Sequence, residues 1–230
     1  LAHNSREAES IAEMMGGLAI TDSLATEQSF LDHAANHRIL HLSTHGKVND
    51  EAGDYSFLAF HHLPDSLENE WLYNSEIYNL ELSADMVVLS ACETGIGQLR
   101  KGEGIISLSH GFSYAGAKSV VTSLWSVNDL STKALMEEFY KNLKEGKPKD
   151  EAMRQAKLSI IEHYPDLGHH PFVWAAFIPI GDMSPIEYPN PDYWTWLMIG
   201  GIAIFGVLAL FYLEKQKKVV EQLKSLEPNY

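Results

Sequence analysis

Short apolar runs of strand length recur along the chain and are separated by segments in which apolar residues have helical spacing. The runs cover 38–43, 56–60, 86–90, 119–124 and 175–180. Runs this short and this apolar are typical of strands that are buried on both faces of a mainly parallel sheet. We therefore predict an α/β fold with helices on both faces of the sheet. Loops at the carboxyl ends of its strands would form the functional site.

Helical spacing precedes the first run and fills the intervals between the later ones. We predict a first helix with Ser5 as its N-cap, ending at the pair Gly16-Gly17, and a second helix capped by Thr26. The apolar residues on one face of the second helix are Phe30, Leu31 and Ala34. Three further helices are predicted over 104–114, 131–143 and 149–163.

A different kind of segment follows this alternating region. We expect a domain over 1–182, a Pro-rich linker over 183–193, a transmembrane helix over 194–213 and a tail over 214–230 that starts with basic residues. The segment 194–213 has no formally charged residue. At about 1.5 Å per residue it is long enough to cross a hydrocarbon core of roughly 30 Å. A buried core helix is the alternative, and apolar residues on every face of the segment argue against it.

The distribution of lysine and arginine gives the expected orientation of that helix. No Lys or Arg occurs over 158–214, whereas Lys215, Lys217 and Lys218 follow at once. By the positive-inside rule the tail is cytoplasmic and the preceding domain extracytoplasmic, in a single-pass protein with membrane lipid around 194–213. A cytoplasmic domain with a C-terminal tail anchor is the rival topology, because large domains override the local charge bias.

Composition narrows the range of partners. The chain has 17 Lys and Arg against 31 Asp and Glu, a formal net charge of −14, which disfavours nucleic acid as a partner. Its single cysteine, Cys92, excludes an intrachain disulfide framework and a multi-cysteine metal site. The pairs His61-His62 and His169-His170 have no carboxylate or cysteine at a recognised ligand spacing, so the sequence predicts no metal site.

Two of the apolar runs lead into residues that together suit thiol chemistry. The run 38–43 leads through Thr44 to His45, and the run 86–90 leads through Ala91 to Cys92. Carboxyl ends of neighbouring parallel strands meet at one edge of a sheet, where α/β proteins build their sites. A nearby imidazole lowers the pKa of a thiol from about 8.5 toward neutrality and so favours the nucleophilic thiolate. A buried structural cysteine is the alternative interpretation.

Six ordered motifs include or surround these two residues. They are 41–46 (HLSTHG), 87–95 (VVLSACETG), 101–104 (KGEG), 116–121 (GAKSVV), 123–129 (SLWSVND) and 174–177 (WAAF). Together they resemble the CHAT domain family, caspase-like peptidases of clan CD that are often found behind tetratricopeptide repeats. The resemblance runs along nearly the whole of 1–182.

The resemblance implies a caspase-like fold and hydrolysis of a protein substrate by a Cys-His dyad without a cofactor. His45 matches the catalytic histidine of the family and Cys92 its catalytic cysteine, while the backbone N–H groups of Gly46 and Cys92 match its oxyanion hole. The spacing of the two residues is close to the roughly 50 residues that separate the pair in caspases. The cysteine lies in SACETG and not in the caspase type QACRG, so a preference for aspartate is not transferred.

Three acidic residues are candidates for a substrate pocket. Asp129 follows Trp125 in a region where members of the clan form part of the pocket for the residue before the scissile bond, and an acid there favours a basic substrate residue. The alternative for Asp129 is an N-cap or first-turn acid of the following helix. Glu93 and Glu103 are further candidates, and the glycines around Glu103 predict a flexible loop beside the nucleophile.

Two questions stay open at this stage. The first is whether the fold is used as an enzyme or as a catalytically silent interaction or assembly module, and retention of both dyad residues within full motifs favours the enzyme. The second concerns the region before Leu1. Because the chain does not open with Met, we expect an N-terminal region, such as tetratricopeptide repeats, to precede it in the complete protein.

Overall fold

The structure is a computed structural model of the 230-residue chain. It describes residues 2–49, 52–62, 70–90, 98–100, 104–106, 108–126, 129–164, 170–188 and 191–224.

The chain divides into two compact units, Leu1–Ile186 and Glu187–Tyr230. The strands described in the first unit are β1 (Ile39–Leu42), β2 (His45–Lys47), β3 (Phe57–Ala59), β4 (Trp71–Tyr73), β5 (Met86–Leu89), β6 (Gln98–Arg100), β7 (Gly104–Ile106), β8 (Ser119–Ser123) and β9 (Phe177–Gly181). Its helices are α1 (Ala2–Met15), α2 (Glu27–Ala34), α3 (Asn74–Ile77), α4 (Leu108–Tyr114), α5 (Asp129–Lys144), α6 (Lys149–His163) and α7 (Pro171–Trp174), and the second unit contains α8 (Pro191–Lys224).

The main sheet has four strands in the order β1-β5-β8-β9. The first three are parallel, with Leu42 opposite Leu89 and Val88 opposite Val121, and β9 is antiparallel to β8. All four residues of β5 are buried. The sheet is therefore the mixed α/β sheet with parallel strands that the short apolar runs predict.

Helices cover both faces of this sheet and form two apolar cores. On one face, α1, α5 and α6 pack with Met86, Val88 and Val121. On the other face, residues of α2, α3 and α4 pack with Val87 and Leu89. Because successive side chains of a strand point to opposite faces, a run that is apolar at every position supplies both cores at once.

Two smaller antiparallel sheets depart from the predicted arrangement. The run 56–60 was predicted as a strand of the main sheet, but β3 pairs with β2 and β4 in a separate sheet. In β3 only Leu58 is fully buried, which is the one-sided burial of an antiparallel sheet. The predicted helix over 104–114 begins only at Leu108, because Ile105 and its neighbours pair with β6 as strand β7.

Helix boundaries agree with the sequence where capping residues decide them. Thr26 caps α2, and its hydroxyl accepts a hydrogen bond from the N–H of Ser29 at 3.1 Å. α1 ends before Gly16, whose φ of +67° is a left-handed conformation that glycine adopts without strain. Ser5 was predicted to cap α1 but lies inside it, and its hydroxyl hydrogen-bonds Asp22 at 3.0 Å. Leu31, predicted to share the apolar face of α2, is 37% exposed.

Charged residues join the amino ends of the three parallel strands. Arg38, Asp85 and Lys118 directly precede β1, β5 and β8. The carboxylate of Asp85 accepts hydrogen bonds from Arg38 and, at 2.7 Å, from Nζ of Lys118. Burial by itself would raise the pKa of Asp85, but the hydrogen bonds from Lys118 and Arg38 outweigh it and lower the pKa. This cluster fixes the amino edge of the sheet, opposite the edge predicted to carry the site.

The described part of the chain contains no helix with an apolar stretch long enough to cross a membrane. The predicted transmembrane helix over 194–213 and the single-pass membrane localisation are therefore wrong, and the predicted lipid contact loses its basis. The segment 194–213 does lie within a helix, α8. The prediction rested on segment length and on the absence of formal charge, and neither of these measures the hydropathy that a membrane span requires.

Candidate active site

The carboxyl ends of β1 and β5 lie side by side and lead into the segments that carry the candidate dyad. Leu42 pairs with Leu89, and the N–H of Ser90 donates to the carbonyl of Leu42 at 3.0 Å. His45 follows Leu42 by three positions, and Cys92 follows Leu89 by three. Cys92 lies outside the described residues, so its distance from His45 stays a prediction.

His45 is the first residue of β2, and its side chain is exposed. The pairing of β2 with β3 places His45 opposite Ala59 and Gly46 opposite Leu58. The hydroxyl of Thr44 donates to the carbonyl of Ala59, which tethers the backbone immediately before the histidine. The imidazole therefore has a defined backbone position and remains open to solvent, as a group that exchanges protons with a substrate needs to be.

Of the three predicted pocket acids, the structure describes only Asp129, and only its backbone. Asp129 is the first residue of α5, the place expected of a first-turn acid, and its side chain lies outside the described part of the chain. Glu93 and Glu103 also lie outside the described residues. The predicted pocket acids therefore stay predictions.

An open apolar pocket of about 310 Å³ lies beyond the carboxyl end of β8, at the same sheet edge as Leu42 and Leu89. It is lined by Trp125, Pro171, Phe172 and Ala175. The indole N–H of Trp125 donates to the carbonyl of Phe172 at 2.8 Å, and the two rings stack with their centroids 5.6 Å apart. Trp125 and Ala175 belong to the motifs noted above.

The sequence analysis missed two of the residues that line this pocket. Pro171 and Phe172 belong to α7, which directly precedes β9. Their only signal was an apolar pair just upstream of the motif at 174–177. Nothing in that pattern places the pair across from Trp125, because the contact joins the ends of two antiparallel neighbours, β8 and β9.

A buried polar network joins α1 to both strand ends. Glu7 is 1% exposed, and its Oε1 accepts hydrogen bonds from the hydroxyl of Ser90 at 2.6 Å and from Nε2 of His41 at 3.0 Å. With the proton on Nε2, Nδ1 of His41 accepts from the hydroxyl of Tyr140 at 3.1 Å. The sequence analysis missed Glu7, because an acid among the several acids of one helix carries no signal of burial.

The remaining histidine pairs do not form a metal centre in the described structure. No group of three or more His, Cys, Asp or Glu side chains within the described residues could hold a metal ion. His61 and His62 are exposed. His170 caps α7, where its ring nitrogen accepts a hydrogen bond from the N–H of Phe172 at 3.2 Å, and His169 lies outside the described residues.

The first unit is a three-layer α/β fold, in which helices cover both faces of the sheet and His45 lies just beyond the carboxyl edge of its parallel strands. Two solved structures are similar to it: the Arg-specific cysteine proteinase gingipain R (RgpB), with a TM-score of 0.56 and 11% identity, and a complex of the RgpB pro- and mature domains from Porphyromonas gingivalis, with 0.53 and 12%. Each match covers 79% of this chain and 42% or 43% of the other. At this identity the likeness establishes the fold alone.

The chain belongs to the CHAT domain family, whose model matches residues 1–182. Its curated relatives include tetratricopeptide repeat protein 28 of mouse and of human, each 23% identical over 215 residues. The matches cover 80% of this chain but only 9% and 8% of the relatives. The chain thus spans less than a tenth of their length, and the family expected from the six motifs is confirmed.

Proposed function

We propose that this CHAT domain is a cysteine endopeptidase in which Cys92 is the nucleophile and His45 its acid–base partner. The observation that carries the proposal is the pairing of Leu42 with Leu89. Two adjacent parallel strands each lead, three residues later, into one member of the dyad. The fold is similar to that of a cysteine proteinase, and the carboxyl edge of a parallel sheet is where α/β folds place their sites.

The reaction follows from the chemistry of the two side chains. The Cys92 thiolate attacks the carbonyl carbon of the scissile peptide bond, and the backbone N–H groups of Gly46 and Cys92 donate to the oxyanion, each worth about 3 kcal/mol in related chemistry. The C–N bond then breaks, and the His45 imidazolium gives its proton to the leaving amine. Water, deprotonated by His45, attacks the thioester and breaks the C–S bond, which releases the product as a carboxylic acid and restores the thiolate–imidazolium pair; the acid then loses its proton to solvent.

The pocket beside Trp125 supports a role in substrate selection. Its lining is almost wholly apolar, and its volume of about 310 Å³ suits one apolar side chain of a bound peptide. Asp129 stands four residues beyond Trp125 and, as a pocket acid, would favour a basic substrate residue. We therefore propose a substrate segment that combines an apolar residue with a basic one.

The single cysteine of the chain makes a direct test available. The purified protein is incubated with a library of peptides and with peptidyl chloromethyl ketones, and mass spectrometry locates the cleavage sites and the modified residue. We expect cleavage, and alkylation of Cys92 that a cleaved peptide competes away; Cys92→Ala loses both. A folded native protein with neither cleavage nor peptide-directed alkylation would instead identify a silent interaction module.

A tetratricopeptide-repeat region is the proposed intramolecular partner. The curated relatives are named for such repeats, and this chain matches only a small share of their length. We infer that the domain works beside a repeat region that recruits the protein substrate. Supplying repeats from the complete protein to the peptidase assay should change the cleavage rate of a protein substrate but not that of a short peptide.

A further inference from the structure

We propose that Glu7 is a positioning residue of the candidate active site. One oxygen of its carboxylate, carried by α1, holds the carboxyl ends of β1 and β5 at a fixed spacing through His41 and Ser90. That Glu7 holds the two strand ends together is inferred from those contacts alone. Its catalytic consequence rests on the proposed function.

The contacts leave the network little freedom. Both donors converge on Oε1 of Glu7, at 2.6 Å from the Ser90 hydroxyl and 3.0 Å from Nε2 of His41. The side chains of Glu7 and His41 are only 2% and 8% exposed. The opposite side of the imidazole meets Tyr140 of α5, with ring centroids 5.5 Å apart. The network therefore connects α1, β1, β5 and α5 through a single buried carboxylate.

Stability alone is a weak reason for such an arrangement. Replacing a buried ionic group by well-packed apolar residues of similar volume is often neutral or stabilising. A fully hydrogen-bonded polar network instead favours one geometry, since any shift of a partner leaves a buried polar atom unpaired. The carboxylate of Glu7 is thus suited to setting a distance between two strands that already share a backbone hydrogen bond from Ser90 to Leu42.

The position of the network explains why that distance matters. His41 precedes His45 by four residues, and Ser90 precedes Cys92 by two. A displacement of about 1 Å at a catalytic group is enough to lower a rate by about a hundredfold. Release of either strand end from Glu7 would be transmitted to one dyad residue and not to the other.

The experiment compares the complete native chain with Glu7→Ala, Glu7→Gln and Ser90→Ala. Ser10→Ala is the matched control, because Ser10 also lies on α1 and its hydroxyl donates at 2.6 Å to a carboxylate carried by a helix, that of Glu137 in α5. If Glu7→Ala does not fold, the two milder variants decide the result. Three quantities are measured at a temperature where the variants are folded: hydrogen exchange of the backbone amide at position 90, the pH profile of Cys92 alkylation by iodoacetamide, and kcat and KM.

We expect amide exchange of Ser90 to be about tenfold faster in Glu7→Ala, with Glu7→Gln between it and the native chain. The alkylation profile should shift to higher pH, and kcat should fall by about ten- to a hundredfold with little change in KM. Ser10→Ala should match the native chain in all three measurements.

The positioning role of Glu7 and the proposed Cys-His dyad would be contradicted by different results. Unchanged exchange and an unchanged alkylation profile in the folded Glu7 and Ser90 variants would overturn the positioning role, whatever the peptidase activity is. A His45→Ala variant with a native alkylation profile would overturn the proposed dyad instead. In that case the exchange data still decide whether Glu7 holds the strand ends.

Discussion

The imidazole of His45 is exposed on a short paired strand, so its removal separates catalysis from folding. We expect His45→Ala to lower kcat/KM for peptide cleavage by roughly a thousandfold or more, as loss of a catalytic acid–base residue does. Its free energy of unfolding should stay within about 0.5 kcal/mol of the native value, because exposed side chains contribute little to stability. His61→Ala, a change at another exposed histidine, is the control and should alter neither quantity.

Asp85 gives a prediction for the dependence of stability on pH. Its pKa is lowered in the folded state from its ordinary value of 3.8. Its ion pairs therefore stabilise the fold fully at pH values above that ordinary value, and this contribution is lost as the pH falls through the lower folded pKa. At pH 7 we expect Asp85→Asn to lose about 1–2 kcal/mol, a modest amount because Arg38 and Lys118 are themselves half exposed.

Urea unfolding of the native chain and of Asp85→Asn between about pH 7 and pH 2 measures this effect. The difference in free energy of unfolding between the two proteins should be constant at neutral pH and shrink at the acid end of the range. Glu81→Gln, at an exposed acid, controls for the loss of one negative charge. A native-minus-variant difference that stays constant to the lowest pH would contradict the assigned role of Asp85.

At the scale of elements, the N-terminal cap of α2 gives a direct prediction for stability. The Thr26 hydroxyl accepts from the N–H of Ser29, one of the four N–H groups that an α-helix leaves unpaired at its start. Thr26→Ala should lower the free energy of unfolding by about 1 kcal/mol. Thr21 also precedes a helical turn, but its side chain makes no capping hydrogen bond, so Thr21→Ala should cost less. Equal losses would argue against the cap.

Elements were predictable from sequence where one local cause decides them. The strands β5 and β8 are buried at every position, as their short apolar runs predict, and α6 begins and ends where helical spacing does. The run 56–60 has the same local appearance as a strand of the main sheet, but it pairs with β2 and β4, the strands just before and just after it along the chain. Nothing in the pattern of the run itself distinguishes this separate antiparallel sheet from the main one. The helix predicted over 104–114 failed for a similar reason, because Ile105 is recruited into a pair with β6.

The candidate site likewise contains residues that local sequence patterns predict and residues that only contacts between distant segments identify. His45, Gly46 and Cys92 were predicted from motifs that follow individual strands, and the two strands that precede these motifs, β1 and β5, are paired. Glu7 and Phe172 were missed because each contacts the region around the candidate site through residues far away in sequence. Apolar periodicity identifies which elements are buried, and it contains no information about a polar partner that arrives from another element.

At the scale of the whole molecule, the first unit extends beyond the segment that matches the family. The family match ends at residue 182, but Ile186 is buried in the core on the α5–α6 face. Nζ of Lys149, a side chain whose pKa is lowered by burial, donates to the carbonyls of Asp182 and Ser184 at 2.9 and 3.0 Å. Residues after 182 therefore accept a hydrogen bond from a buried ammonium group and fill part of an apolar core.

Truncation tests where the unit ends. A chain that stops at Ile186 should retain the free energy of unfolding of the first unit, whereas a chain that stops at Asp182 should lose about 2–4 kcal/mol. The loss combines the burial of one isoleucine with a hydrogen bond to the Lys149 ammonium group. Denaturant unfolding of the two truncated chains measures the difference. If both are equally stable, residues 183–186 contribute nothing to the fold and the structural boundary coincides with the family match.

The cluster of Arg38, Asp85 and Lys118 has a consequence for how this fold can change over time. It connects three strands at the edge remote from the site, through contacts that involve none of the loops at the other edge. Those loops can lengthen, shorten or exchange sequence without disturbing the scaffold that supports them. The same sheet can therefore diversify its targets by loop replacement, and grafting a carboxyl-edge loop from one such domain to another is a practical route to a new specificity.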